Sequence, residues 1–314
     1  MLKILFMGTP DFAEVCLRKL VENGQKVVGV FSQPDKQKGR GMKVQYCDVK
    51  RYALEAGIEV YQPETLKDGA VQGLLEELAP DIIVVVAYGK ILPEYVLKYP
   101  KYGCINVHGS LLPEYRGASP IQRAVIDGKK ITGVTTMYMD KGLDTGDMLL
   151  KREYEIGDNT NTGEAFDDLA KIGAELLLET LKGLEDGTIT PVPQDGTKAT
   201  YAEKILKDEC ATSFDENAQM VHNKIRGLYP FPGAFCYHDG KVLKLCESRL
   251  YKEEAPAGNA GEVVGLSKDG ILVKCREGAV LLTKVKPEGK GVMNAVDLIN
   301  GRKISLGDML SPTL

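Results

Sequence analysis

The stretch Cys104-Ile-Asn-Val-His-Gly-Ser-Leu-Leu-Pro113 has the pattern of a buried strand that ends in a tight loop. Side chains alternate between the two faces of a strand, so Asn106 and His108 project from the same face. Ile105 and Val107 project from the opposite face and mark it as the side of the core. An amide and an imidazole side by side at the end of a core strand predict a reaction centre.

The composition of the chain excludes several classes of protein. Its 314 residues suit two domains, and 43% hydrophobic with 27% charged residues is ordinary for a globular protein. No apolar run approaches the ~20 residues of a membrane-spanning helix. The N-terminal apolar run meets Gly-Thr-Pro-Asp rather than a cleavage site, so it predicts a core strand and not a signal peptide. Seven scattered cysteines without a Cys-x-x-Cys pair predict reduced thiols in the cytoplasm.

Strand and helix patterns alternate through about the first 150 residues, which is typical of an α/β fold. Asp81–Ala87 contains five consecutive β-branched residues and predicts a central parallel strand. Helices are predicted at Asp11–Glu22, Leu66–Leu78 and Asn161–Leu184. Together these patterns predict a doubly wound (Rossmann-like), mostly parallel sheet with right-handed crossovers.

The C-terminal third of the chain has a different character. Residues 186–204 are rich in Gly, Thr, Pro and Asp and show no periodicity, so we predict a linker there. One helix, Phe214–Gly227, precedes short strand patterns with frequent glycine turns, which favour a small antiparallel, OB-like β-barrel. We therefore predict a catalytic domain at 1–185, the linker, and a barrel domain at 205–314.

A second strand end supplies the carboxylates that a reaction centre needs. The stretch Asp140–Asp147 contains three aspartates and two glycines, and ligands of open α/β sheets bind beyond the carboxyl ends of the strands. An aspartate beside a histidine orients the ring and stabilises the imidazolium. An asparagine can donate a hydrogen bond to a developing oxyanion. Without a Ser or Cys nucleophile, this set suits direct acyl transfer to an incoming amine.

Three other chemistries fit the sequence less well. Asp144-Thr145-Gly146 resembles an aspartic-protease motif, but it occurs once in an α/β pattern. Gly8-Thr9-Pro10 lacks the G-x-G-x-x-G pattern of a dinucleotide site, and its proline offers no N–H to a phosphate. We expect no metal site, because the remaining candidate ligands follow no familiar spacing; they are Cys236, His238, Cys246 and His222.

The formal net charge of −4 means that a polyanion would have to be bound by local patches. One patch is the loop Pro34–Lys43, which carries four basic residues and two glycines. Composition alone leaves a solvated mobile loop as probable as a phosphate-binding arm. Its position after a strand end favours the arm, with Arg40 between two glycines as the best-placed contact.

Several motifs, taken together, resemble the methionyl-tRNA formyltransferase family. They are Phe6–Phe12, Gln33–Asp35, Gly39–Gly41, Val86–Gly89, Asn106–Pro113, Arg116–Ala118, Asp140–Asp147, Thr200–Lys204 and Pro230–Pro232. The resemblance covers essentially the whole chain, and the Asn-x-His followed by Ser-Leu-Leu-Pro is highly specific.

The resemblance implies transfer of a formyl group from 10-formyltetrahydrofolate to methionine on initiator tRNA, by a cytoplasmic monomer serving translation initiation. It implies that the OB-like domain contacts the tRNA. The family's catalytic trio falls on Asn106, His108 and Asp144. Its folate-binding motif falls on Ser110, Leu111, Leu112 and Pro113. Its tRNA-binding arm falls on the basic loop, with Arg40, Lys38 and Lys43 as the contacts.

Two alternatives remain open at this point. Relatives that formylate a small amine, such as a glycinamide nucleotide or an amino sugar, or that hydrolyse formyltetrahydrofolate, share the catalytic trio. The C-terminal domain and Gly39-Arg40-Gly41 favour tRNA over these substrates. A catalytically silent nucleotide- or RNA-binding protein on the same scaffold is disfavoured by the intact trio.

Overall fold

The computed structural model describes residues 1–38 and 43–314, which form two compact units. Unit 1 comprises residues 1–117, 132–154 and 166–201. Unit 2 comprises residues 118–131, 155–165 and 202–314. Unit 2 therefore includes two segments that precede residue 166, whereas a division at a single linker would assign both to the first domain.

The elements up to residue 185 alternate much as the sequence predicts. The strands are β1 (Lys3–Gly8), β2 (Lys26–Phe31), β3 (Lys36–Lys38), β4 (Lys43–Gln45), β5 (Val60–Tyr61), β6 (Ile82–Val86), β7 (Cys104–His108), β8 (Ile131–Tyr138) and β9 (Met148–Glu155). The helices are α1 (Asp11–Glu22), α2 (Asp48–Glu55), α3 (Gln72–Leu78), α4 (Glu94–Leu97), α5 (Pro120–Ile126) and α6 (Thr162–Glu185). Nowhere in the described chain is a helix long and apolar enough to cross a membrane.

The main sheet has the order β5-β2-β1-β6-β7-β8-β9. β1 pairs in parallel with β2 and β6, and β6 pairs in parallel with β7, whereas β8 runs antiparallel to β7. All five residues of β6 are buried, as expected for a central strand covered on both faces. The predicted Rossmann-like, mostly parallel sheet is confirmed.

Helix α1 shows how the local sequence produces this architecture. Phe12, Cys16 and Leu20 recur at intervals of four residues and are all buried. Glu14 and Arg18 form an i,i+4 ion pair on the opposite face. The amphipathic pattern therefore covers the sheet with one side of the helix and leaves the other polar.

Unit 2 contains an antiparallel sheet of order β10-β11-β14-β13-β12, with β15 paired to β14. Its elements are α7 (Ala218–Leu228), β10 (Ala234–His238), β11 (Lys241–Leu250), β12 (Val263–Ser267), β13 (Gly270–Lys274), β14 (Ala279–Pro287), β15 (Met293–Asn294) and α8 (Ala295–Asn300). The backbone of Ser311 pairs with Tyr237 in β10, and that of Met309 pairs with Glu262 just before β12. One C-terminal segment thus covers backbone groups at both edges of the sheet.

Two predicted helices are shorter than expected, for local reasons. The predicted helix Leu66–Leu78 begins only at Gln72, because Asp68 and Gly69 adopt positive φ angles of 55° and 75°. The predicted helix Phe214–Gly227 begins at Ala218, because the side chain of Asn217 caps it by accepting a hydrogen bond from the Met220 amide at 2.9 Å.

The predicted basic loop Pro34–Lys43 also differs from expectation. Its described part is an antiparallel ribbon in which β3 pairs with β4, with Lys36 opposite Gln45. Such short polar strands have too few residues to show a period of two, so the sequence could not separate them from a loop.

Candidate active site

His108 ends β7 and is almost fully buried, with 5% of its surface exposed. Its Nε2 lies 2.9 Å from the carbonyl oxygen of Tyr115. A carbonyl oxygen can only accept, so Nε2 carries the hydrogen and donates it. Nδ1 is therefore the nitrogen left to exchange a proton.

Asp144 lies beside this free nitrogen. Its Oδ2 is 3.7 Å from Nδ1 of His108, which is too long for a hydrogen bond but close for two opposite charges. The same oxygen accepts a hydrogen bond of 2.8 Å from the backbone amide of Gly117. The structure thus brings together two of the three residues that the sequence predicts as catalytic, from positions 36 residues apart.

The loop between β8 and β9 has a specific shape that presents Asp144. This residue has a φ of 53°, in the left-handed region that aspartate tolerates better than most residues. Within the loop, Asp140 Oδ1 accepts a hydrogen bond of 2.6 Å from Thr145 Oγ1. A side chain at Gly146 would collide with the carbonyl oxygen of Tyr138, so this position requires glycine.

A glutamine that the sequence analysis missed fixes the backbone of the same loop. Gln194 Nε2 donates to the carbonyl oxygens of Asp144 and Gly146, each at 2.8 Å. The buried guanidinium of Arg116 in turn donates to Gln194 Oε1 at 2.7 and 3.0 Å. Arg116 had a signal, because it belongs to a family motif, but Gln194 lies in the aperiodic segment 186–204 and had none.

Other residues of this predicted linker also contact unit 1. Thr200 accepts hydrogen bonds of 2.8 Å from the backbone amides of Tyr115 and Arg116, through its hydroxyl and its carbonyl oxygen respectively. Val192 and Met148 exchange backbone hydrogen bonds of 2.9 Å. The segment up to Tyr201 is therefore packed structure of unit 1 rather than a free connection.

Asn106 lies two residues before His108 on the same face of β7. It is half-buried and opposite Met137 of β8, whereas Ile105 and Val107 on the other face are buried in the core. Across the described chain, no residue hydrogen-bonds to its side-chain amide. An amide held on a rigid strand without a partner is a donor that a ligand can use.

The loop after β7, Ser110–Pro113, is held by its own hydrogen bonds. Ser110 is fully buried, and its Oγ donates to the carbonyl oxygen of Glu114 at 2.6 Å. Thr135 Oγ1 donates to the carbonyl oxygen of Ser110 at 2.7 Å and accepts from the Leu112 amide at 3.1 Å. Lys151 donates to the carbonyl oxygen of Leu112, and burial lowers the pKa of this lysine. Ser110 and Leu112 therefore stabilise the loop rather than presenting free polar groups.

Of the three predicted tRNA contacts, the structure describes the backbone of two, Lys38 and Lys43. Arg40 lies outside the described residues. Lys38 and Lys43 face each other in the backbone register of the β3–β4 ribbon.

The two other histidines have partners inside unit 2. His222 lies 2.8 Å from Ser248 Oγ and 3.0 Å from the carbonyl oxygen of Asp158, and His238 lies 2.9 Å from Asp308 Oδ2. Within residues 1–38 and 43–314, no group of three or more His, Cys, Asp or Glu side chains could hold a metal ion.

Comparison with known protein families identifies the family of this chain. A family described as formyl transferase matches residues 2–181, more than half of the chain. The chain belongs to the formyl transferase family. A second family, described as the C-terminal domain of formyl transferase, matches residues 204–303.

This formyl transferase is similar to other proteins over its whole length. The methionyl-tRNA formyltransferase of Acetivibrio thermocellus is 45% identical over 309 residues, 98% of this chain and 99% of that protein. The methionyl-tRNA formyltransferase of Caldanaerobacter subterraneus subsp. tengcongensis is 47% identical over 312 residues, 98% of this chain and 100% of that protein. The crystal structure of HypX from Aquifex aeolicus in complex with tetrahydrofolic acid has the same fold as this chain, with a TM-score of 0.65 at 19% identity. That match covers 97% of this chain but only 48% of HypX.

Proposed function

We propose that this formyl transferase moves a formyl group from 10-formyltetrahydrofolate to the amino group of methionine on initiator tRNA, for translation initiation. The observation that carries the proposal is the similarity, over 98% of the chain, to proteins named methionyl-tRNA formyltransferase. Because that similarity includes unit 2, it favours tRNA over a small amine or over simple hydrolysis of the folate.

The site supports this reaction through three side chains with separate roles. The unpartnered side-chain amide of Asn106 donates a hydrogen bond to the oxyanion that develops when the amine attacks the formyl carbon. His108 exchanges a proton through Nδ1, since Nε2 is bound to the Tyr115 carbonyl. Asp144, 3.7 Å from Nδ1, stabilises the imidazolium while it carries that proton.

The proton and electron balance of the transfer is complete with these groups. A bond forms between the methionyl nitrogen and the formyl carbon, and the bond from that carbon to N10 of the folate breaks. The amine loses one proton and N10 gains one. A single imidazole that accepts and then returns a proton satisfies both changes, directly or through water.

The folate is proposed to lie against the loop Ser110–Pro113. Hydrogen bonds with Thr135 and Lys151 hold this loop in one shape before any ligand arrives. A preorganised loop next to the catalytic strand lowers the entropic cost of orienting the formyl donor. In this proposal the loop contacts the folate through its shape rather than through the Ser110 hydroxyl, because that hydroxyl already donates a hydrogen bond to the Glu114 carbonyl oxygen.

The experiment that tests the function compares three acceptors with 10-formyltetrahydrofolate as donor. We expect rapid formylation of charged initiator tRNA, much slower formylation of a charged elongator tRNA, and none of free methionine. Equal rates with free methionine, or with a small amino sugar, would assign the protein to the small-amine formyltransferases. Release of formate without any acceptor would assign it to the hydrolases.

The basic loop gives a separate prediction for the tRNA. Arg40→Ala is expected to raise KM for charged tRNA and to flatten the salt dependence of binding by roughly one unit of slope, as for one lost phosphate contact. Folate binding should be unchanged. Lys67→Ala, which removes a positive charge from an exposed position in unit 1, is the control. An unchanged KM and salt slope would leave Arg40 as part of a solvated loop.

We also propose that the enzyme acts in the cytoplasm, as a monomer. All seven cysteines are free, and six are buried. Burial raises the pKa of the Cys104 and Cys236 thiols to about 12, which keeps them protonated and unreactive. Thiols of this kind suit a reducing compartment.

A further inference from the structure

Unit 2 contains a polar cavity that the proposed reaction does not use. Its volume is about 250 Å³, and it lies between the first turn of α6 and side chains of α7, β11 and β14. Three cationic side chains line it: Arg226, Arg249 and Lys284. Liquid water occupies about 30 Å³ per molecule, so the cavity has room for a small ion and several waters.

Among the described residues, Arg226 is the cation in this cavity without a carboxylate in ion-pair contact; Asp158, which attracts it from a longer distance, is bound to Lys130. Only 5% of its surface is exposed. Its Nε donates to Asn223 Oδ1 at 3.0 Å, and its Nη1 donates to the carbonyl oxygens of Thr160 (2.9 Å) and Gly157 (3.2 Å). In the described parts of the chain, Nη2 has no acceptor and no carboxylate lies within 4 Å of the guanidinium. Burial lowers the pKa of Arg226, yet arginine remains charged in proteins.

Both carboxylates in the cavity lining already have partners. Glu247 binds Arg249 through Oε1 and Lys284 through Oε2, each at 2.8 Å. Glu164 accepts a hydrogen bond of 2.9 Å from the backbone amide of Asn161. Three cations and two carboxylates therefore line the cavity, which leaves an excess of one positive charge in the lining. The N-terminus of the 24-residue helix α6 adds a further positive potential.

We propose that this cavity binds a phosphate group, with Arg226 Nη2 as the fixed donor and Arg249 and Lys284 as mobile cations at its mouth. An oxyanion would compensate the positive charge of this largely desolvated guanidinium. Phosphate suits the site because guanidinium N–H groups match its oxygens in geometry and charge. The group could arrive as free phosphate or as a phosphodiester of RNA. The proposal does not depend on formyl transfer.

The test measures phosphate binding directly on the full-length protein. Inorganic phosphate is titrated by calorimetry at constant ionic strength, and we expect saturable binding. Arg249→Gln and Lys284→Gln should each weaken it by about three- to tenfold, as for one partly exposed charge. Glu247→Gln should strengthen it, because Arg249 and Lys284 are then released toward the anion. Lys268→Gln, on the turn between β12 and β13 and outside the cavity lining, should have no effect.

Two arms then identify the source of the phosphate. A short RNA duplex that competes with inorganic phosphate, and binds more tightly to Glu247→Gln, would assign the site to a phosphodiester. Binding of phosphate without competition by RNA would assign it to the free ion. Absence of saturable phosphate binding, or binding that all three charge variants leave unchanged, overturns the proposal. None of these measurements requires substitution of Arg226, whose loss could unfold unit 2.

Discussion

Asn106→Ala and His108→Ala should each lower the single-turnover rate of formyl transfer by at least ~10²–10³-fold, the typical cost of removing one oxyanion donor. The Asn106 variant should remain as stable as the wild type to within about 1 kcal/mol, because its amide has no protein partner to lose. His108→Ala removes the hydrogen bond to the Tyr115 carbonyl and should cost about 1–3 kcal/mol. Quenched-flow formylation and urea unfolding measure the two effects.

Two further variants separate chemistry from packing at His108. His108→Gln keeps an N–H that can donate to Tyr115 but cannot exchange a proton, so it should be as slow as the alanine variant. His238→Ala removes a histidine that binds a carboxylate in unit 2, and its rate at saturating tRNA should stay within about twofold of wild type. Near-normal rates for Asn106→Ala or His108→Ala would remove these residues from the mechanism.

Asp144→Asn is expected to slow formyl transfer by roughly 10²–10⁴-fold. The upper figure is the cost of the corresponding change in serine proteases, where aspartate and histidine share a hydrogen bond. The lower figure reflects the 3.7 Å between Asp144 Oδ2 and His108 Nδ1, at which the two groups interact as charges without a hydrogen bond. The loss in stability should be only about 1 kcal/mol, because the asparagine oxygen can still accept from the Gly117 amide.

A neighbouring aspartate provides the control for this charge effect. Asp140 belongs to the same loop and also accepts hydrogen bonds within it, from Gly142 and Thr145. Asp140→Asn removes an equal charge from a side chain that does not face the imidazole, so we expect at most a tenfold loss in the rate of formyl transfer. If the two variants are equally slow, the shape of the loop and not the charge of Asp144 is what the reaction needs.

The strand that carries the proposed catalytic residues, β7, was predictable because its sequence pattern is local. Alternation along β7 assigns Asn106 and His108 to one face and the core residues to the other, and strand ends of one sheet meet at one edge. That rule predicted that the Asp140–Asp147 loop would lie near His108, and the family resemblance selected Asp144 among its three aspartates. The long central strand and α1 were predictable for the same reason, since their patterns are complete within one element.

What the sequence could not reveal depends on contacts between distant backbone groups. The partners of His108 and Asp144 include the carbonyl of Tyr115 and the amide of Gly117, and any residue type offers such groups. Gln194 contacts Asp144 across 50 positions, from a segment without periodicity. Residues 118–131 and 155–165 join unit 2 through tertiary packing, to which local composition gives no clue.

The two hydrogen bonds from Gln194 bear on how this enzyme can be divided into fragments. The family match ends at residue 181, and the composition changes soon after, so residue 185 looks like a natural place to truncate. A fragment cut there would keep the three proposed catalytic side chains but lose the glutamine that holds the Asp144 backbone. An excised catalytic fragment, or a chimera that exchanges C-terminal domains among relatives, should therefore carry the native chain through Tyr201.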